Sequence, residues 1–400
     1  MTKPTRAYII GGGAAGVFGA IHWKEKHPEW EVTILEQASH PLGKLRISGG
    51  GRCNVTHACF DPKELVRFYP RGCKELLGPL HRFHPKDTIS WFENRGVALK
   101  IEADGRVFPT SDSSETIVSA LLQAADRAGV LWRFGVKVSS LDRQGEYFWI
   151  ASMQESWQAD RVLVATGGAP AFFPLLKKLG HTIVDLVPSL FTFNIPSSPF
   201  LDLTGITLDN VALSLPLFHL RQTGPLLFTH WGLSGPAVLK LSAWGARELH
   251  AANYRALLEV DFVPDCTREE ILSLFQRTQE ASPQKTLSLS PLFGLPKQLW
   301  KSLCHSLLET SWGHVSRKEK SMLAERLKKT PLQIEGKTTY KQEFVTAGGI
   351  DLSEIHSKTM ESKLHPRLFF AGEVLNIDGL TGGFNFQNAW TTSWLATEAP

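Results

Sequence analysis

Arg6-Ala7-Tyr8-Ile9-Ile10-Gly11-Gly12-Gly13-Ala14-Ala15-Gly16, followed by Val32-Thr33-Ile34-Leu35-Glu36, is the stretch whose reading decides the fold. Tyr8 to Ile10 is a short apolar run of the kind that forms a parallel strand buried on both faces. Gly11, Gly13 and Gly16 then fit G-x-G-x-x-G, and Ala14 to Lys26 carries helix formers with small residues where a helix must approach a sheet. Val32 to Leu35 reads as a second buried strand ending on Glu36. In this arrangement the first glycine makes a tight turn, the second leaves room for a pyrophosphate, and the third lets helix and strand touch. The helix N-terminus supplies N–H groups and a positive dipole end, and the acid twenty residues on suits ribose hydroxyls. A glycine-rich turn in an ordinary α/β unit is the plain alternative, but strand, glycines, helix, strand and acid together predict a dinucleotide site. A secretory leader is not expected here, because three consecutive glycines interrupt the apolar run and Lys24-Glu25-Lys26 follow it.

The remainder of the composition narrows the class. Four hundred residues at 42% hydrophobic content are enough for two or three packed domains. Forty-three basic against 39 acidic residues is too mild a balance to imply a nucleic-acid groove, and no nucleic-acid partner is expected. No apolar run reaches the length of a membrane span. The five cysteines, Cys53, Cys59, Cys73, Cys266 and Cys304, form no C-x-x-C pair and no even framework, which points to a reducing cytoplasm. His81 and His84 lack a completing ligand set, so no metal site is expected.

Outward from the opening motif, Ser48-Gly-Gly-Gly51-Arg52 reads as a loop whose backbone can lie against a flat or anionic ligand, with Lys44, Arg46 and Arg52 beside it. Cys53 reads as a small packed residue. Residues 60–82 and 86–95 read as helices, 102–109 as a hairpin, and Ser113 to Ala128 as a clear helix. Strands are expected within 130–141, including Val136-Lys137-Val138, and again at 147–151 and 161–166. Val162-Leu-Val-Ala-Thr166-Gly167-Gly168 is a second strand running out into glycines, where open α/β sheets bind ligands. No second G-x-G-x-x-G follows, so a dedicated nicotinamide domain is missing.

After Pro188 the chain breaks into short strand-like pieces at 190–193, 201–204, 211–216 and 225–229, as in a small antiparallel barrel. His230-Trp-Gly-Leu-Ser-Gly-Pro236 reads as a polar-aromatic loop opening a helix over 237–246. Helices are expected at 267–274, 296–308 and 317–328. The first domain resumes at Glu343, and Arg367-Leu-Phe-Phe-Ala-Gly372-Glu373 is a third strand-to-ligand junction. Gly382-Gly383-Phe384-Asn385 opens the last helix, whose N–H groups would face a developing negative charge. The expected boundaries are 1–188 with 343–400, and an inserted domain at 189–342 with a helical part at about 267–330.

Taken together, Gly11-x-Gly13-x-x-Gly16, Ser48 to Thr56, Phe228 to Pro236, Val345 to Ile350, Thr359 to Lys363 and Ala371 through Asn385 resemble the BaiN-like flavoproteins. These are also called YhiN-like, or aminoacetone-oxidase-type, NAD(P)/FAD-dependent oxidoreductases. The resemblance covers nearly the whole chain. It implies an α/β fold, with FAD on a Rossmann-type domain and an inserted β-barrel-like plus helical domain. By motif match Ala15 and Glu36 touch the ADP half and Val138 the adenine, while Lys44, Arg52, Asn54, Glu373, Phe384 and Asn385 line the remainder. Together with the glycine junctions, the expected contacts also include Gly11, Gly13, Ala14, Gly16, Gln37, Thr166, Gly167, Gly372 and Gly383. Two departures from the family pattern stand out: the loop after Gly168 is short, and Asn376 occupies a position where an acid is common.

The activity implied is hydride transfer between flavin and a small organic substrate, with NAD(P)H as a transient reductant. Arg52 is the candidate for polarising a carbonyl or anion, and His230 for moving a proton near neutral pH. An oxygen-using oxidase of small amines or amino ketones, a non-catalytic FAD-binding protein and a flavoprotein working on RNA are the alternatives, and the mild net charge speaks against the last. Substrate, nicotinamide preference and oligomeric state are not in this reading.

Overall fold

The computed structural model describes residues 4–338 and 345–399. The expected boundary at 342/343 lies outside the described residues. The chain forms two compact units, one of Met1–Ser189 with Tyr340–Pro400 and one of Leu190–Thr339.

In the first unit, β1 (Arg6–Ile10) pairs in parallel with β2 (Glu31–Glu36) on one side and with Arg161–Val164 on the other. Leu131–Phe134 extends the sheet beyond β2, and Leu368–Phe370 extends it beyond Arg161–Val164. Two short antiparallel strands, Glu361–Ser362 and Ile355–His356, finish that edge. The central strands are buried on both faces, as their unbroken apolar runs require: Ile9, Val32, Ile34, Val162 and Leu163 are fully buried. Helix α1 (Ala14–Lys26) and the last helix, Phe384–Thr397, lie against each other over this sheet. Glycine makes the approach possible, because a Cβ at Gly19 would sit 2.7 Å from both Leu163 and Ser393. Phe18 fills the seam, 5.1 Å from Trp390 and 4.8 Å from Trp91.

Several local readings differ from the sequence expectation. The glycine-rich stretch begins as a helix, α2 (Gly43–Gly51), which loses helical geometry at Ser48, Gly49 and Gly50. The helical stretch at 60–82 is split into Pro62–Leu65 and Cys73–Arg82. The break is at Gly72 (φ +76), where a side chain would collide with Ile377. Val136 to Val138 is not a strand; Val136 N donates to Glu36 O (2.9 Å), which ties the segment to the end of β2 instead. An unforeseen strand, Ser156–Ala159, completes a small sheet with Ser140–Gln144 and Tyr147–Ala151.

The second unit holds a seven-stranded antiparallel sheet. Its first strand, Thr330–Glu335, pairs with Arg255–Asp261, and its last, Lys337–Thr338, pairs with Thr192–Asn194. These two edge strands are one stretch of chain interrupted only at Gly336 (φ +139). The sheet therefore closes on itself as a barrel, and closure removes the unpaired edges. Gly232–Ser234, expected as loop, is a strand between Leu220–Thr229 and Thr192–Asn194. Residues 201–203, expected as strand, form a 3-10 turn. Helices Arg268–Ala281 and Arg317–Lys328 are both closed by capping boxes, Thr267 with Glu270 and Ser316 with Glu319. Trp300, Trp312 and Phe275 are fully buried in this unit's core.

Candidate functional site

Where the chain leaves β1, Gly11 N donates to Leu35 O (2.9 Å) and the backbone turns at φ +108. A Cβ at Gly11 would lie 2.5 Å from Ala165 O, and one at Gly16 would overlap Gly11 O. Gly13 is the opposite case: a Cβ there meets nothing within 4 Å. Gly13 is also the N-cap of α1, extended and without a side-chain cap, so the first-turn N–H groups open onto that space. Glu36 clamps the loop from β2. Its Oε2 accepts from Gly12 N (2.6 Å) and its Oε1 from Ala38 N (2.7 Å). Each carboxylate oxygen retains a lone-pair site, which leaves capacity for ribose hydroxyls. Gln37 is exposed beside it, and the bond from Val136 to Glu36 brings the segment carrying half-buried Val138 to the same strand end. Ala14 starts α1, while Ala15 is buried and faces Gly372, where a Cβ would stand 3.1 Å from the Ala15 methyl.

A second group gathers at the carboxyl ends of the neighbouring strands. Glu373 Oε2 accepts from Lys44 Nζ (2.7 Å) and Oε1 from Thr346 N (2.8 Å). Cβ atoms at Gly167 and Gly168 would stand 3.4 and 3.3 Å from those two oxygens. Thr166 Oγ1 is buried and has no hydrogen-bond partner among the described residues, and neither has Asn376 Oδ1. Buried polar atoms are ordinarily paired, so these two keep hydrogen-bonding capacity that a bound cofactor could use. An open helix N-terminus, a clamped acid and an unpaired hydroxyl in one row of strand ends fit a bound dinucleotide such as FAD. Gly11, Gly13, Glu36, Lys44, Thr166 and Glu373 are the residues that would hold it. Thr346 and Leu42 escaped the sequence reading. Leu42 adopts φ +63 and donates its N–H to Gly12 O (2.9 Å), and only its position before Gly43 hinted at this turn.

The last helix departs from expectation. Gly383, its N-cap at φ +92, has its N–H 3.0 Å from the Asn54 side-chain oxygen, in the amide orientation that also satisfies Thr56 O and Val107 O. Asn54 thus holds the loop rather than presenting its amide to a ligand. The Phe384 ring is buried against Phe68 (4.4 Å) and His57 (4.7 Å), and its carbonyl accepts from Tyr69 (2.7 Å). Asn385 is bound to both polar groups of Gly379, accepting from its N–H and donating to its carbonyl. Arg52 is likewise committed: it donates to Glu102 (2.7 Å), reaches Asp112 (3.5 Å), and lies 3.9 Å over the Phe108 ring. The hydrogen bond that it donates to Glu102 raises its guanidinium above the ordinary value. Cys53 is buried at φ +59, and burial pushes its thiol up to about 12, far from a reactive thiolate. His230 belongs to the second unit, exposed on a turn, with its ring edge-on to Trp231 at 4.4 Å.

Among the described residues, no group of three or more His, Cys, Asp or Glu is placed to hold a metal ion. No described helix is long and apolar enough to cross a membrane. The family profile described as the HI0933-like protein Rossmann domain matches residues 5–399. Ribosomal RNA dihydrouridine synthase of Escherichia coli is 29% identical over 98% of this chain and 97% of its own length. The 3-dehydro-bile acid delta(4,6)-reductase of Clostridium scindens is also 29% identical, over 98% of each chain. Among solved structures, the 3-ketosteroid-delta4-(5alpha)-dehydrogenase of Rhodococcus jostii superposes with a TM-score of 0.50 at 13% identity, over 100% of this chain and 98% of that one. A flavocytochrome c3 fumarate reductase gives 0.50 at 15% identity, over 99% of this chain and 78% of that one. At those identities the likeness is one of fold. The motifs, the cradle and the profile agree: the chain belongs to the HI0933-like family, with the Rossmann-type FAD-binding domain of flavin-dependent oxidoreductases.

Proposed function

We propose that this protein is an FAD-dependent, NAD(P)H-linked reductase of carbon–carbon double bonds conjugated to a carbonyl. The observation that carries the reading is its end-to-end, equal likeness to two proteins whose names describe related chemistry. Dihydrouridine arises when the uracil double bond next to a carbonyl is reduced, and a 3-oxo steroid with unsaturation at carbons 4 and 6 is a conjugated ketone. Bound FAD, once reduced by NAD(P)H, would supply the hydride for the carbon remote from the carbonyl and return to its oxidised form. The protein contributes binding, orientation and electrostatics.

The chain's own groups divide that work. Gly13 leaves the space and Glu36 the acceptors for the cofactor's nucleotide half. Lys44, held by Glu373, puts a cation beside the strand ends. His230 is our candidate for delivering the proton to the carbon next to the carbonyl. Arg52 would polarise that carbonyl only by exchanging Glu102 or Asp112 for substrate. A net charge of +4 over 400 residues favours a small conjugated ketone over a polyanionic RNA as the acceptor.

The test is anaerobic. The yellow holoprotein is reduced with NADH or NADPH, then mixed with a conjugated steroid ketone, with ribosomal RNA, or with air-saturated buffer. We expect reduction by at least one nicotinamide and reoxidation by the ketone about tenfold or more faster than by oxygen. Reoxidation by oxygen alone would make the protein an oxidase, and failure of both nicotinamides would remove the proposed reductant. Reoxidation by RNA alone would reverse the choice of acceptor.

A further inference from the structure

His230 and Trp231 are the two residues of a tight turn in the second unit, because Thr229 pairs with Gly232 across it. The turn is fastened to the neighbouring strand, Thr192–Asn194, at three points. Gly232 lies opposite Asn194, and a Cβ there would stand 2.3 Å from Phe193 O, so only glycine lets the two backbones come this close. Just beyond, Ile195 N donates to Trp231 O (2.8 Å). The third point is a side chain: Trp231 Nε1 donates to Thr192 Oγ1 (3.2 Å). Thr192 is buried, and its own hydrogen goes on to Thr338 O (3.1 Å), on the strand that closes the barrel. The hydroxyl accepts from the indole and donates to a carbonyl, so its orientation is set from both sides.

His230 is exposed at the tip of this turn, where a side chain ordinarily exchanges rotamers within nanoseconds. Its ring instead stands edge-on to the Trp231 indole, with centroids 4.4 Å apart and planes at 83°. Edge-to-face contact is a favoured geometry of two aromatic rings, and it fixes the plane of an imidazole without spending its nitrogens on hydrogen bonds. Proton transfer needs the donor within about 2.6–3.2 Å of the accepting atom, and a misplacement of about 1 Å can cost about a hundredfold in rate. An exposed imidazole therefore serves as an acid only if something holds it.

From this geometry we propose that Trp231, braced by Thr192, is the positioning residue for His230, which rests on the reading of His230 as the proton donor in conjugated-ketone reduction. In the balanced step the double bond gains one hydride, from bound reduced flavin, and one proton, from a ring nitrogen of His230, which solvent then reprotonates. Trp231 touches neither reacting carbon. It sets the direction in which the His230 proton leaves, and the hydroxyl of Thr192 sets Trp231.

The test uses the FAD-loaded protein and the variants Thr192→Val, Thr192→Ser, Trp231→Phe and His230→Gln. Nuclear magnetic resonance of labelled histidines reads the brace directly, with His230→Gln identifying the signal. We expect the His230 ring protons to be displaced by the indole ring current, to move towards the position of a free histidine in Thr192→Val and Trp231→Phe, and to stay in Thr192→Ser. Anaerobic half-reactions read its consequence. Reduction by NADH or NADPH should be unchanged in all variants, while reoxidation by a conjugated steroid ketone should slow about tenfold or more in Thr192→Val and Trp231→Phe and recover in Thr192→Ser. In a His230→Gln background, Thr192→Val should add no further loss, because the two act through one group. An undisplaced His230 signal in the unaltered protein, normal reoxidation after the displacement is lost, additive losses with His230→Gln, or equal slowing of both half-reactions would overturn the positioning role. A different result, no reoxidation of the unaltered protein by the ketone, would remove the reductase reading and this role of Trp231 with it.

Discussion

Three helices of the first unit start behind a glycine, and two of those starts, at Gly13 and Gly383, do opposite things. At α1, a side chain on Gly13 would point into open space, and Glu36 holds the loop from the side. At the last helix, a side chain on Gly383 would strike the Thr56 backbone at 2.5 Å, and Asn54, Asn385 and Tyr69 engage the loop and the first turn. Both offer a dipole and N–H groups in principle. Only the first leaves them facing a space a phosphate can enter. Paired glycines before a helix therefore mark close approach, and the approaching group can be a ligand or the protein's own backbone.

The strongest way to break this contrast is to fill both glycines. Gly13→Val should abolish bound flavin while the apoprotein keeps its α/β circular dichroism. Gly383→Ala should destabilise the fold itself, by about 2 kcal/mol or more, because it combines a left-handed backbone with a steric overlap. Thermal unfolding of the two apoproteins, set beside their visible spectra, checks the pair. A colourless but stable Gly383→Ala protein would make the second helix start a ligand site after all.

Next in size is the clamp. Glu36→Ala removes an ionised acceptor from two backbone N–H groups and from the ribose, interactions worth about 1.5–3 kcal/mol, so FAD affinity should fall about tenfold or more. Fluorescence titration of apoprotein with FAD measures it. An unchanged dissociation constant would mean that the acid serves the loop alone.

A third measurement separates loss of ligand from loss of fold. His181 is buried and His22 half-buried, and desolvation lowers both imidazoles from their ordinary value. His181 is bonded to Glu354 (2.9 Å) and Ser362 (3.0 Å). The unfolded chain, titrating near 6.5, binds protons that the folded one refuses. Stability from these two groups is fully present above about pH 6.5 and is lost as the pH falls below it, with a slope approaching about 1.4 kcal/mol per pH unit for each. Flavin retention should hold steady down to that point and then follow unfolding. Release of flavin well above pH 6.5 would show that the cradle titrates independently of the fold.

The smallest effect is expected at Arg52. Its partners are part-exposed ion pairs, so Arg52→Gln should move the thermal midpoint by about 2 °C or less. A large loss of turnover with an altered pH profile would show instead that Arg52 leaves Glu102 for the substrate.

How much was legible in advance depended on the range of the interactions. The strand, glycines, helix, strand and Glu36 could be read from residues 6–36 because each element is specified locally, by apolar runs, chain turns and spacing. Helices such as Ser114–Ala128 and Arg317–Lys328 carried their caps in sequence. Gly232–Ser234 and Thr330–Glu335 escaped because a strand in a closed barrel is defined by distant partners, Phe193 and Leu258 among them. The same limit hid the neutralisation of Arg52, whose carboxylates lie 50 and 60 residues away.

By itself, then, the sequence determined that a dinucleotide-binding α/β unit opens the chain, that a β-rich segment interrupts it, and to which family it belongs. Only the tertiary structure decided which glycines face a ligand and which face the protein's own backbone, because identical backbone freedom serves both. It alone, too, set Trp231 against Thr192 and Thr192 against Thr338, since barrel closure joins positions 146 residues apart in the chain and leaves no local trace of doing so.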